Sequence, residues 1–467
     1  MKTIINKYRN ATVVLLGYFV LSLFLVGCKD FVEVDEPSGQ IYSDSVFEDE
    51  ESATAAVTSL YGKLRDNVLI TGHPYGLTVL MGFYADELDY YGPPGFPVDR
   101  FYRHQIIASN DLVKNLWDSS YHLIYMCNSA LEGIENSQIL TQEVKEHLKG
   151  EALFVRSLTH FYLVNLFGAI PYVTTTDYTI NQQVSRMETN VVYHHILNDL
   201  ILAKSYLGEA DITGERIRAN SYAVSALLAR VYLYLEDWEA AEIESSTVIN
   251  ASSLYYFGGQ VADEFLKDSP ATILQLKPKN EGDNTLEAIT FIFISGPPVS
   301  KALNPEFVAS FEANDQRRAN WILEVSDGNE VWYAPYKYKL LENTGTSMEY
   351  SIVLRLAEQH LIRAEARAQL GDVNGAKADV NTIRNRVGLL DTSATTPSEL
   401  LDVILKERRA EFFTEHGHRW FDLKRSFMAD DVLSPIKPNW RTTDILLPLP
   451  EIEILMNPNL APQNPGY

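Results

Sequence analysis

Leu354-Arg-Leu-Ala357-Glu-Gln-His-Leu361-Ile-Arg-Ala364-Glu-Ala-Arg-Ala368-Gln-Leu-Gly371-Asp372 is the stretch that decides the fold. Its small and apolar residues, Leu354, Ala357, Leu361, Ala364 and Ala368, recur at steps of three and four, which predicts a buried helix stripe. Gly371-Asp372 reads as a turn, and Ala376, Val380, Ile383 and Val387 mark a second amphipathic helix. The same plan occurs earlier: Leu228 to Leu235, a turn at Glu236-Asp237, then Trp238 to Ile249. A shift of 135 residues superposes Ala229 on Ala364, Leu235 on Leu370, Asp237 on Asp372, Ala241 on Ala376 and Val248 on Ile383.

Paired helices with small residues at their crossing and a short turn resemble tetratricopeptide repeats. Weaker helical patterns at 111–135 and 143–167 extend the series. The predicted fold class is mainly α, a tetratricopeptide-like solenoid with loop-rich, partly β insertions on one face. The last long helix is marked by Thr396-Pro397-Ser398-Glu399, a capping box with Pro at the first helical position, and runs to a break near Gly417. Residues 84–104 and 255–350 form the insertions, rich in Gly, Pro and aromatics. Thr272-Ile-Leu-Gln-Leu and Ala288-Ile-Thr-Phe-Ile-Phe-Ile read as β-like patches within them.

The first residues set the compartment. Lys2, Lys7 and Arg9 precede an apolar run from Ala11 to Val26, too short for a spanning helix and typical of a secretory signal. Leu25-Val26-Gly27-Cys28 then looks like a bacterial lipobox, with Cys28 as the acylated anchor. The chain divides into a signal peptide at 1–27, an anchor and acidic tether at 28–50, and one helical-repeat domain at 51–467. With Cys28 acylated, Cys127 has no partner, so no disulfide or cysteine metal site can be built, and Cys127 reads as a small buried hydrophobe. Cleavage removes three of the 39 basic residues and none of the 62 acidic ones, leaving a net charge of −26. That excess disfavours nucleic acid and anionic membrane surfaces as partners.

Several segments, in order, resemble the SusD/RagB family of Bacteroidetes outer-membrane lipoproteins. They are Cys28-Lys29-Asp30-Phe31; Gly150-Glu-Ala-Leu-Phe-Val-Arg156 with Phe161-Tyr162 and Phe167-Gly168-Ala-Ile-Pro171; and Arg355-Leu-Ala-Glu358 with Ala364-Glu365-Ala366 and Asn381-x-Ile-Arg384-x-Arg386. Glu407-Arg408-Arg409-x-Glu411 with His418-Arg419-Trp420-x-Asp422-Leu423-x-Arg425 follows, and Leu447-Pro-Leu-Pro450-x-x-Glu453, Asn457-Pro-Asn459-Leu460 and Gln463-Asn-Pro-Gly-Tyr467 close the chain. The resemblance implies a non-enzymatic surface protein, lipid-anchored to the outer membrane beside a SusC-like TonB-dependent transporter. It would capture an oligosaccharide, or in some members a peptide, and close over the transporter. A repeat scaffold that binds nothing itself is the reading from another class.

The residues offer no catalytic motif. The acids and arginines of 407–425 could supply a carboxylate pair, but helical spacing favours ion pairs, such as Glu407 with its arginine neighbours and Arg419 with Asp422. His416 and His418 lie two apart and Glu358-Gln-His360 is no HExxH, so no metal and no cofactor are expected. There is no nucleophile elbow and no phosphate-binding loop. The 26 tyrosines are more telling, since many sit in the insertions, where flat amphipathic rings suit the C–H faces of sugars. By position in the family, the expected ligand contacts are Tyr84, Asp86, Tyr90, Tyr91, Phe96, Tyr102, Trp321, Trp332 and Tyr333. Phe101 and Tyr336 share those segments, and Asp89 and Arg103 are further groups for hydroxyls. Tyr90-Tyr91 before Gly92-Pro93-Pro94 is the leading choice, because two adjacent rings at a turn are hard to bury together.

Overall fold

Polar caps and short turns set the helices out in chain order. The computed structural model describes residues 46–67, 69–70 and 72–467. The leader at 1–27, Cys28 and nearly all of the tether expected at 28–50 lie outside the described residues. Asp49 accepts from the Ser52 N–H and starts α1 (Glu50–Asp66). There follow α2 (Leu77–Tyr84), α3 (Pro97–Tyr102), α4 (Asp111–Asn136), α5 (Gln142–Phe167) and α6 (Thr189–Tyr206). Then come α7 (Ser221–Tyr234), α8 (Trp238–Asn250), α9 (Leu356–Gln369), α10 (Val373–Arg386), α11 (Pro397–Phe412) and α12 (His418–Arg425). The capping box expected at Thr396 and Glu399 is formed.

The long helices pack in sequence, α4 on α5, α5 on α6, α7 on α8 and α9 on α10. α8 also packs on α9, although the whole mid-chain insertion lies between them. Ala229 and Ala241 of the first pair share one apolar cluster with Ile362 and Ala366 of the second. Small side chains there let helix axes approach, which is the tetratricopeptide-like packing the sequence predicts. The caps repeat as well: Asp237 accepts from the Ala240 N–H and Asp372 from the Gly375 N–H, the equivalent position. α5 is buried on every side from Gly150 to Phe167. Its charged residues survive there because they are paired: Arg156 donates to Asp199 at 2.8 Å and to Asn128, and Glu151 takes the Arg218 guanidinium. Cys127 is buried and unpaired, and burial pushes its thiol up to about 12.

The two insertions and the segment entering α9 supply three two-stranded antiparallel ladders: β1 (Leu88–Tyr90) with β3 (Lys301–Leu303), β2 (Thr272–Leu276) with β6 (Ser351–Arg355), and β4 (Ile322–Ser326) with β5 (Val331–Pro335). Thr272 to Leu276 is a strand as expected. The second β-like patch is not. Thr285 caps a short helix, Leu286–Phe291, in which Ala288 and Phe291 are buried three apart while Ile289 faces out. A local cap and the 3.6-residue period override β-branched propensity.

The insertion is joined to the helical layer by buried charge. Arg317 reaches Glu407 at 2.8 Å and Glu411 at 3.1 Å, and Arg355 reaches Glu411 at 2.5 Å and Glu415 at 2.9 Å, while Arg384 of α10 adds a bond to Glu407 at 2.6 Å from within the helical layer. Lys337 donates to the Glu411 and Phe413 carbonyls and pairs with Glu415. The structural reading of 407–425 therefore holds, but the partners expected within the helices are corrected. Glu407 pairs with Arg317 and Arg384, Arg408 with Asp422, and both Arg409 and Arg419 with Asp86. Buried charges need several bonds each, and sequence neighbours on one helix face cannot supply them.

Two outcomes are expected. Glu411→Gln leaves Arg317 and Arg355 under-compensated in the interior and costs about 3–5 kcal/mol in denaturant unfolding. Removing the exposed Arg65–Asp66 pair, for comparison, costs about 1 kcal/mol or less. Burial pushes the Glu87 carboxyl up to about 8, and its Oε1 has no hydrogen-bond partner. Ionisation of Glu87 in the unfolded chain alone then erodes stability as pH rises from about 4.5 towards 8. Glu87→Gln should flatten that slope, gaining about 1 kcal/mol or more at pH 8 and little at pH 5.

Candidate functional site

β1 and β3 fix the floor of the site, with Asp89 opposite Ala302 and Tyr90 opposite Lys301. Beyond the ladder the Tyr91 N–H donates to the Ser300 carbonyl at 2.9 Å, which brings two Gly-Pro-Pro turns side by side, 92–94 and 296–298. The Tyr90 hydroxyl donates to the Pro93 carbonyl at 2.9 Å, and a Cβ at Gly92 would collide with that ring. In the second turn a Cβ at Gly296 would fall 1.9 Å from the Trp332 ring, so only glycine lets the backbone lie against the indole. Trp332 is held by the β4–β5 hairpin, where it faces Val325 across the ladder.

The aromatic groups form a shelf. Tyr90 meets Phe83 edge-on at 5.5 Å between centroids and lies 6.3 Å from Tyr102. The Tyr102 hydroxyl donates to Asp89 at 3.4 Å, and Asn304 holds the same carboxylate at 3.2 and 3.3 Å. Burial, then the Asp89 charge, pushes the Tyr102 hydroxyl up to about 12, so it is a neutral donor at physiological pH. The Lys437 ammonium stands 4.0 Å over the Tyr102 ring, and burial pushes it down to about 8. The Tyr91 hydroxyl lies beside the Trp332 indole, with Asp89 and Glu330 near enough to raise its pKa after burial. Tyr91 is 39% exposed and Phe96, the residue before α3, is 55% exposed.

Tyr90, Tyr91, Tyr102 and Trp332 are thus brought together, with Phe96 on the connecting turn. Four expected contacts fall elsewhere, and the assignment is corrected for them. Tyr84 is buried and donates to the Asp444 carbonyl at 2.7 Å, and Asp86 is locked between Arg409 and Arg419 at 2.7 Å each. Trp321 is fully buried with its indole N–H on the Val261 carbonyl. Tyr333 alternates to the face opposite Trp332, under the Arg318 guanidinium. Of the residues near these, Arg103 is tied to Asp99 and Phe101 is buried.

Lys301, Asn304, Glu330 and Lys437 stand at the site without being among the expected contacts. The repeated Gly-Pro-Pro was the available signal for the 296–300 side; for the other residues nothing local marks them. Chemically the shelf offers flat apolar faces beside a carboxylate and tyrosine hydroxyls, which suits stacking plus hydroxyl recognition. Among the described residues no cluster of His, Cys, Asp and Glu could hold a metal ion. His416 and His418 are buried, and the His416 ring bonds the Ile352 carbonyl.

Comparison with known proteins gives the fold a family. A model described as starch-binding, associating with the outer membrane, matches residues 97–233, and the SusD family model matches 310–437. SusD-like protein P2 of Formosa agariphila is 28% identical, covering 96% of this chain and 99% of its own. A laminarin-binding SusD-like protein superposes with a TM-score of 0.75 at 22% identity, over 90% of this chain and all of its own. Surface glycan-binding protein A from Bacteroides thetaiotaomicron gives 0.76 at 19% identity, over 90% and 100%. At those identities the structures speak for the fold alone, and they share the helical layer described above. Taken with the two family models and the full-length relative, they place the chain plainly: it belongs to the SusD/RagB-like family.

Proposed function

We propose that this protein binds an oligosaccharide on the Tyr91–Trp332 shelf and hands it to a SusC-like TonB-dependent transporter in the outer membrane. The observation that carries the reading is the exposed Tyr91 ring backed by the Trp332 indole, itself only 6% exposed, with Asp89 and the Tyr102 hydroxyl beside them. A sugar ring laid on such a face buries C–H groups while its hydroxyls find an acceptor and a donor. The laminarin-binding and glycan-binding structures with the same fold support a glycan as the ligand class. No catalytic step is assigned, because the acids and arginines of 407–425 are consumed in buried ion pairs.

The cell-surface location rests on Cys28 as the lipid anchor. Among the described residues no helix is long and apolar enough to cross a membrane. Several acyl chains on one cysteine supply the multiple-chain anchoring that a single chain does not.

Calorimetric titration of the full chain in detergent with neutral and acidic oligosaccharides and mixed oligopeptides tests the site. Saturable binding to a glycan is expected, weakened about tenfold or more by Tyr91→Ala and by Trp332→Ala, or about 1.4 kcal/mol each. Peptide binding in place of glycan would move the function to peptide import, and silence across the panel would reduce the chain to a scaffold. For the anchor, Cys28→Ser should abolish metabolic labelling by palmitate and release the protein from the membrane fraction. Retained labelling would remove Cys28 as the acylated residue.

A further inference from the structure

A cavity of about 550 Å³ opens where the end of α5, the start of α6, the end of α7 and α12 meet. It shares no lining residue with the aromatic shelf. Tyr193, Tyr234 and Phe421 give it aromatic walls, and Phe427, 84% exposed, stands at its edge.

Lys424 stands in this wall without an acidic partner. Its Nζ donates to the Asn165 carbonyl at 2.5 Å, and among the described residues no carboxylate reaches it. An ammonium has three donors, so two are left open towards the cavity or its water. The polar groups beside it are engaged with other partners. The Asn165 amide oxygen already accepts from the Tyr193 hydroxyl and its amide nitrogen donates to the Phe161 carbonyl. Arg425 in the same wall is fully engaged by Glu365 and Asp422, which removes those acids as partners. Burial pushes the Lys424 ammonium down to about 7, the direction for a cation that nothing compensates.

Two cavity residues are also left-handed without being glycine, Glu236 at φ 59° and Phe427 at φ 57°. In the second repeat the position of Glu236 holds Gly371, at φ 84°. The turn by itself therefore asks only for glycine, and the sequence keeps an acid at the cavity rim against backbone preference.

We propose that this cavity is a second ligand site that takes the carboxylate of a small monoanion with a flat aromatic body. The carboxylate meets the free donors of Lys424, and the ring lies between Tyr193, Tyr234 and Phe421. Charge-assisted bonds to an ammonium are the strong kind, and a water-poor wall strengthens them further. Glu236 at the rim and the acidic surface of the chain select against a second negative charge.

Titration of the full chain in detergent with phenylacetate, its neutral amide phenylacetamide, and glucuronate tests the assignment by ligand-observed NMR. Phenylacetate should saturate in the millimolar range, with phenylacetamide and glucuronate each weaker by about tenfold or more. Lys424→Met should lose phenylacetate binding to the same extent while its unfolding midpoint stays level or rises, and Lys424→Arg should retain it. Should Lys424→Met not fold, the acid against amide comparison on the unchanged chain decides. Equal binding of acid and amide, tighter binding of glucuronate, or phenylacetate binding that survives Lys424→Met would overturn the proposal.

Discussion

The buried acids of α11 and the turn after it, Glu407, Glu411 and Glu415, hold the rest of the structure in place. Arg317 lies in the short helix that runs into β4, and Lys337 lies just beyond β5; both end on this stretch. The β4–β5 hairpin is thus clamped at both ends, and Arg355 fixes β6 to the same acids. Burial alone would raise the Glu411 carboxyl, but Arg355, Arg386 and Arg317 hold it well below the usual carboxylate range. Such a network adds little net stability over a well-packed apolar core, since desolvation offsets most of the attraction. What it does fix is geometry, because no shifted register satisfies all the charges at once.

The position of the binding shelf follows from that clamp. Trp332 reaches Tyr91 because its hairpin cannot slide, and the Gly296 backbone lies against its indole. Beneath the exposed rings, Asp86 joins the segment before β1 to α11 and α12 through Arg409 and Arg419. The residues that face a ligand sit on short loops, while those that aim them are buried ion pairs on long helices. The cations of the shelf, Lys301 and Lys437, bond backbone carbonyls and ring faces, while the Asp89 carboxylate takes its hydrogen bonds from Asn304 and Tyr102.

Much of this was legible from local pattern. The helices over 111–136, 142–167, 221–250 and 356–386 announce themselves through three-and-four spacing, and Asp237, Asp372 and Thr396 mark their starts. The failures have one cause. Ala288-Ile-Thr-Phe carries β-branched residues that favour a strand, and the Thr285 cap outweighs them. Tyr84, Asp86 and Trp321 lie in loop-rich segments where ligand contacts are expected, yet Tyr84 and Trp321 are buried and Asp86 is taken up by Arg409 and Arg419.

By itself, then, the sequence determined the helical class, the two superposable repeats, the turn chemistry and the aromatic wealth of the insertions, because each is carried by residues within about one or two turns of one another. Tertiary structure alone decided which rings face solvent and which acids pair with which arginines. Arg317 and Glu407 are 90 residues apart, and Asp86 and Arg419 are 333 apart. Pairing over such separations depends on how the insertion folds back onto the helical layer, and no local spacing encodes that.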